Sequence, residues 1–145
     1  FCLSARRTKG RCKVTKEFSI ETRKATEMVN ITTEVQRTVL ASGVKGGLAV
    51  VFVPHTTAGV TINEGADPAV RKDIIETLSQ IVPWERVYGH AEGNSPAHIK
   101  TSLIGSSVTI MVEDARLQLG QWQSIFLCEF DGPRKRRVMV KITEC

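Results

Sequence analysis

The sequence predicts a single α+β domain, with about six strands in a mostly antiparallel arrangement and two or three helices. Three observations carry that reading. The chain has 145 residues, 41% of them hydrophobic and 24% charged, which is enough apolar material for one domain with its own core. Strand-like runs recur without helical segments alternating strictly between them, which argues against a βαβ parallel sheet. No internal repeat or low-complexity linker divides the chain, and its longest strongly apolar run, Gly47 to Pro54, is far shorter than the roughly 20 residues of a bilayer span.

The elements follow in order. Val14, Phe18, Ile20 and Thr22 alternate with Thr15, Glu17, Ser19 and Glu21, the pattern of a half-buried strand, although Lys16 interrupts the apolar face. Asn30 or Thr32 can cap a helix carrying Ile31, Val35, Val39 and Leu40, which Ser42-Gly43 stops. Leu48 to Val53 is a β-branched core strand ending at Pro54, and Val60 to Ile62 is a short second strand. Asp67 and Pro68 open a helix with an apolar face of Val70, Ile74, Ile75 and Leu78. Residues 83–97, punctuated by Gly89, Gly93, Asn94 and Pro96, read as loop. Val108 to Val112, Ser124 to Phe130 and Val138 to Ile142 are three further strands, with a turn at Asp131-Gly132-Pro133.

The net charge of +5 ordinarily raises the question of nucleic acid or an anionic membrane. It resides wholly in residues 1–13, where Arg6, Arg7, Lys9, Arg11 and Lys13 occur without an acid. Residues 14–145 are balanced. The excess therefore belongs to a basic N-terminal arm, read as a leader or extension since the chain opens on Phe1, and not to a basic globular surface. The expected partner is a small phosphorylated molecule, with no nucleic acid and no membrane. The cysteines, Cys2, Cys12, Cys128 and Cys145, show no CxxC spacing, so neither a zinc knuckle nor a thioredoxin motif is present. A chain of this size does not need disulfides, and the expected setting is the reducing cytoplasm.

Chemistry-bearing residues cluster in polar, Gly- and Pro-punctuated segments. The three histidines, His55, His90 and His98, are all expected in loops and outside helix or strand interiors. A neutral imidazole serves both as metal ligand and as general base, so all three are candidate catalytic groups and candidate ligands for a divalent ion, Mg²⁺ or Zn²⁺. After His55 come Thr56, Thr57 and Thr61, whose hydroxyls can donate to phosphate oxygens, and then Asn63 and Glu64. Glu64 and Asp67 have the oxygen ligands that suit Mg²⁺, but capping a helix explains Asp67 fully, whereas Glu64 has no structural excuse. Asp114, Arg116 and Trp122 form a third cluster. Arg116 can grip a phosphate bidentately, and Trp122 either stacks on a planar heterocycle or is a Trp buried at a strand start. Finally, Arg134 to Arg137 follow the turn; such a run is ordinarily a solvated edge, with Arg134 and Arg136 on one face as the sharper option. The sequence contains no GxGxxG opening a helix, no Walker A, no HExxH and no GxSxG, which argues against a nucleotide-binding superfold and against a serine hydrolase.

Taken in order, HTTAGVTINE (55–64), the His90-x7-His98 spacing with NSPAH (94–98), GSSVTIMVEDARLQLGQWQ (105–123) and EFDGPRKRR (129–137) resemble the YjbQ family, also called secondary thiamine-phosphate synthase enzymes. The resemblance covers residues 14–144. It departs at Ala115, where the family pattern has Gly, and at Gln121, where Thr is frequent. The resemblance implies an α+β domain that trimerises, with sites near subunit boundaries. It also implies a weak or secondary ability to join a pyrimidine methyl diphosphate to a thiazole phosphate with release of pyrophosphate. Carried over residue by residue, it puts His55, Asn63, Glu64, His90, Asn94, His98, Asp114 and Trp122 in the pocket, with Arg134 and Arg136 added. The residues alone leave two other readings open: a metal-dependent hydrolase of a small substrate, and a non-catalytic protein that holds a small anion or metal.

Overall fold

The computed structural model describes residues 12–145. Its elements are β1 (Cys12–Glu21), β2 (Glu27–Asn30), α1 (Thr32–Ser42), β3 (Gly47–Phe52), β4 (Ala58–Glu64), α2 (Pro68–Ile81), α3 (Ser95–Ile104), β5 (Ser107–Glu113), β6 (Arg116–Leu117), β7 (Gln123–Glu129) and β8 (Lys135–Glu144). The strands form a five-stranded sheet, ordered β1-β8-β3-β5-β6, and a three-stranded sheet, ordered β2-β7-β4. Every pairing is antiparallel. The expected arm, residues 1–13, lies outside the described residues except for its last two, which belong to β1.

The main core is shared by both sheets and α1. It contains Val35 and Val39 of α1, Val51 of β3, Val60 of β4, Ile110 of β5, Leu127 of β7 and Val140 of β8. Strand β7 is buried on both faces. Ile125 and Leu127 enter the main core, while Phe126, Cys128 and Phe130 join a second cluster that Ile74, Ile75 and Leu78 of α2 and Ile104 of α3 cover. Two covered faces are why this strand reads as an unbroken apolar run. In β8 the inward set is Arg136, Val138, Val140 and Ile142, so Arg136 is a charged residue on a core face. The outer face of the larger sheet leaves Leu48, Phe52 and Met111 exposed.

Local signals explain the helix starts. Asp67 Oδ1 accepts from the Ala69 amide at 2.8 Å with Pro68 at the first helical position. Asn30 Oδ1 accepts from both the amide and the hydroxyl of Thr32, at 3.0 and 2.7 Å, and Gly43, at φ 69°, ends α1. Leu40, expected on the buried face of α1, is instead 59% exposed.

The main correction is α3. Its first residues were expected to be loop, and His98 was expected outside any helix. Asn94 and Pro96 are the same start signature that marks α2, but the buried face at Ala97, Lys100 and Thr101 is half polar. That removes the apolar periodicity on which a helix is recognised. Lys100 is 1% exposed and, among the described residues, donates only to Ser79 Oγ, at 3.3 Å, with its Nζ 5.8 Å from the Trp84 ring. Burial pulls its pKa down. The two strands beyond the expected six, β2 and β6, are four and two residues long, too short to show a period.

Candidate functional site

Three segments meet at the start of β4: the β3–β4 connection with His55, Thr56 and Thr57, the β7–β8 turn with Asp131 and Arg134, and the N-terminus of α3 with Asn94 and His98. A buried ion pair ties the first two together. Arg136 donates from Nε to Glu129 Oε2 at 2.7 Å and from Nη2 to Glu129 Oε1 and to Thr57 Oγ1 at 2.8 Å. The hydroxyl of Thr22 donates to Glu129 Oε2 at 2.9 Å, and the Asp131 amide donates to Oε1 at 2.9 Å. Burial alone would raise the Glu129 pKa. The hydrogen bonds from Arg136, Asp131 and Thr22 outweigh it and hold the carboxyl below its ordinary value. A Cβ at Gly132 would stand 2.4 Å from the Lys24 carbonyl oxygen, so only glycine lets the turn close over this network.

His55 sits at the edge of a cavity of about 540 Å³ that Thr56, Phe52 and Ser106 also line. Its Nε2 accepts from the Arg137 amide at 2.9 Å, which assigns the ring proton to Nδ1. Burial, followed by the charges of Arg136 and Arg137, lowers its pKa, so the ring is a neutral Nδ1–H donor near pH 7. Arg134 is exposed and reaches Asp131 Oδ2 at 2.9 Å; the same oxygen accepts from Asn94 Nδ2 at 3.0 Å. Asn94 Oδ1 is shut off from solvent and has no hydrogen-bond partner among the described residues. The rings of His90 and His98 meet edge to face, with centroids 5.3 Å apart, and His90 Nε2 lies 3.7 Å from Glu92.

The other expected site residues lie elsewhere. Strand β4 carries the chain about 20 Å from the Thr57 end to the Glu64 end. There Asn63 Oδ1 accepts from the Glu64 amide at 2.8 Å, and the Gly65 amide donates to the Trp122 carbonyl at 2.8 Å. Trp122 is 59% exposed, which overturns the alternative of a buried Trp and leaves its ring face free. Asp114 and Arg116 stand exposed on the β5–β6 hairpin, where Asp114 (φ 49°) and Ala115 (φ 60°) adopt left-handed conformations. Among the described residues no group of three or more His, Cys, Asp or Glu is placed to hold a metal, so within one chain His55 does not complete a ligand set with His90 and His98.

Sequence reasoning named Thr57 and Arg136 as ligand-binding groups. The structure assigns their side chains to an internal network and adds Glu129 and Thr22, which were not foreseen. The available signal was Glu129 itself, a carboxylate ending an apolar strand.

These features define a class: an α+β domain of two antiparallel sheets, with a cavity at His55 and Thr56 beside the buried Arg136–Glu129 pair. The chain belongs to the UPF0047 protein YjbQ-like family, whose model matches residues 16–145. A UPF0047 protein of Methanocaldococcus jannaschii is 52% identical over 126 residues, covering 87% of this chain and 91% of that one. UPF0047 protein YugU of Bacillus subtilis is 47% identical, covering 88% and 97%. The solved structure of an uncharacterised conserved protein of the yjbq/upf0047 family from Clostridium acetobutylicum has a TM-score of 0.86 at 53% identity, covering 88% and 98%. That of a protein of unknown function from Sulfolobus solfataricus has a TM-score of 0.88 at 31% identity, covering 91% and 97%.

Proposed function

We propose that the protein is a small-molecule enzyme that binds a phosphorylated substrate at the mouth formed by His55, Thr56, Asn94, His98 and Arg134, with thiamine-phosphate synthesis as a secondary activity. The observation that carries this reading is the donor set. A neutral His55 with its proton on Nδ1, the Thr56 hydroxyl and the Arg134 guanidinium, steadied by Asp131, are groups that receive phosphate oxygens. In the reaction the thiazole nitrogen attacks the pyrimidine methylene carbon, the carbon–oxygen bond breaks, and pyrophosphate leaves with the electron pair. Donors at the departing diphosphate stabilise the charge that develops there.

In this reading the protein works as a homotrimer, and a neighbouring copy supplies Glu64, Asn63 and Trp122. The separation of those residues from His55 within one chain supports this, as does the exposed apolar face of Leu48, Phe52 and Met111. His90 and His98 supply two imidazoles for a divalent ion, a donor set that suits Zn²⁺ better than Mg²⁺; Glu64 of the neighbour completes it. We assign the protein to the cytoplasm, in keeping with the unpaired thiols of Cys128 and Cys145. No helix is long and apolar enough to cross a membrane among the described residues.

The test incubates the purified protein with the pyrimidine methyl diphosphate and the thiazole phosphate and follows thiamine phosphate by chromatography. Product is expected from the wild type, reduced about tenfold or more by Arg134→Gln and by Glu64→Gln. No product, or full turnover in both variants, overturns the assignment. Stoichiometric metal that disappears in a His90→Ala/His98→Ala double variant supports the metal. A metal-free protein that still forms product removes it. A monomeric mass at micromolar concentration sinks the shared site.

A further inference from the structure

Arg71, on the first turn of α2, is a guanidinium whose Nε the described fold buries without an acceptor. Its Nε is shut off from solvent with no hydrogen-bond partner among the described residues. Its recorded contact is with an aromatic ring, the Cζ standing 5.5 Å from the Phe126 centroid. A guanidinium seated on a ring face is fixed in its plane while its in-plane N–H groups stay available. Leaving such a group half-buried and unpaired costs stability unless something fills the place.

Arg71 lines two adjoining cavities between β2 and α2. One, of about 400 Å³, also has Lys24, Lys72, Met28 and Ile75 in its wall; the other, of about 350 Å³, has Arg23 and Val29. The carboxylates nearby are partly engaged. Glu27 Oε1 accepts from the amides of Arg23 and Lys24, and Glu76 faces Lys72 at 3.7 Å. Glu21 also lines the second cavity. Cationic side chains thus outnumber carboxylates around the groove, and Met28 and Ile75 give it an apolar side.

We propose that this groove is a second ligand site, separate from the His55 mouth, for a small organic oxyanion, a phosphate or a carboxylate on a short apolar body. The oxyanion takes the terminal Nη groups of Arg71 with Lys24 as second cation, and the apolar body lies on Met28 and Ile75. A volume of about 400 Å³ suits a ligand of one ring or a short chain.

The experiment titrates the full chain by calorimetry with phenyl phosphate in one arm and benzoate in the other. The variants are Arg71→Gln, Lys24→Gln and, as a control at the other site, Arg134→Gln. A saturable component of binding of either probe is expected that Arg71→Gln weakens about tenfold to a hundredfold, that Lys24→Gln weakens several-fold, and that persists in Arg134→Gln, which removes only binding at the His55 mouth. The arm that binds identifies the oxyanion. Circular dichroism melts accompany each variant, and Arg71→Met, which keeps the packing on Phe126, stands in if Arg71→Gln fails to fold. No saturable binding of either probe overturns the proposal. Binding that is identical in the wild type and in Arg71→Gln, or that is lost wholly in Arg134→Gln, also overturns it. So does a change of solution mass in Arg71→Gln, which assigns the guanidinium to a carboxylate of a neighbouring copy.

Discussion

The polar residues at the two ends of β4 are held in opposite ways. At the Thr57 end, Thr22, Thr57, Glu129 and Arg136 are buried and interlocked, and each hydrogen bond is positioned by a different strand or turn. At the Glu64 end, Asn63, Glu64 and Trp122 are exposed or half-buried and depend on little beyond the local backbone. The first arrangement sets the height and orientation of the His55 and Arg134 segments, so it is inseparable from stability. The second is free to change without unfolding the chain, so a loss of activity there reports on chemistry alone.

The largest test of that contrast is to break the buried pair. Glu129→Leu or Arg136→Met alone leaves a buried charge unpaired and is expected to destabilise the fold by about 3–5 kcal/mol, measured by urea denaturation. The Glu129→Leu/Arg136→Met double variant is expected to recover most of the loss. If each single variant costs no more than a surface substitution, the network does not hold the site.

The exposed β5–β6 hairpin is expected to respond in the other direction. Ala115 sits at φ 60°, where a Cβ is disfavoured by about 1 kcal/mol, so Ala115→Gly is expected to stabilise the protein by about that much. A lower thermal midpoint for this variant would show that the turn relaxes away from the left-handed region.

A smaller effect separates the ends by pH. The imidazole pKa of His55 is lower folded than unfolded, so between the two values the unfolded chain binds the proton more readily. Its contribution is present at neutral pH and is lost as pH falls below about 6.5, the ordinary histidine value. Glu129 acts in the same sense further down: its depressed pKa gives stability above the ordinary carboxylate range that disappears on acidification. Replacing His55 by Gln is expected to flatten the slope of stability between neutral pH and about pH 5, and an unchanged slope would remove His55 as its source. At the bottom of the scale, Trp122→Ala is expected to leave stability within about 0.5 kcal/mol of wild type. A larger loss means that the indole is packed in the working assembly.

Much of this was legible before folding. The cap at Asp67, the stop at Gly43 and the β-branched run of β3 are local chemistry, and each element stands where those signals put it. The α+β class followed from the order of the elements and is the observed one. Less of the site was legible. Thr57 and Arg136 were selected for their donors, but whether a donor faces a ligand or a buried carboxylate depends on Glu129, which lies 72 residues beyond Thr57 and seven before Arg136. Helix α3 was hidden because Lys100 and Thr101 occupy its buried face.

The sequence by itself determined where α1 and α2 start, where α1 stops, which run forms the core strand β3, and that the charge excess belongs to residues 1–13. Those properties depend on residues a few positions apart. Only the tertiary structure decided which polar groups are satisfied. It paired Arg136 with Glu129, gave the Nε2 of His55 to the Arg137 amide, set His90 against His98, and left the Nε of Arg71 without an acceptor among the described residues. A hydrogen bond needs its partner within about 3 Å, and the strand pairing that sets such distances joins residues far apart in the chain.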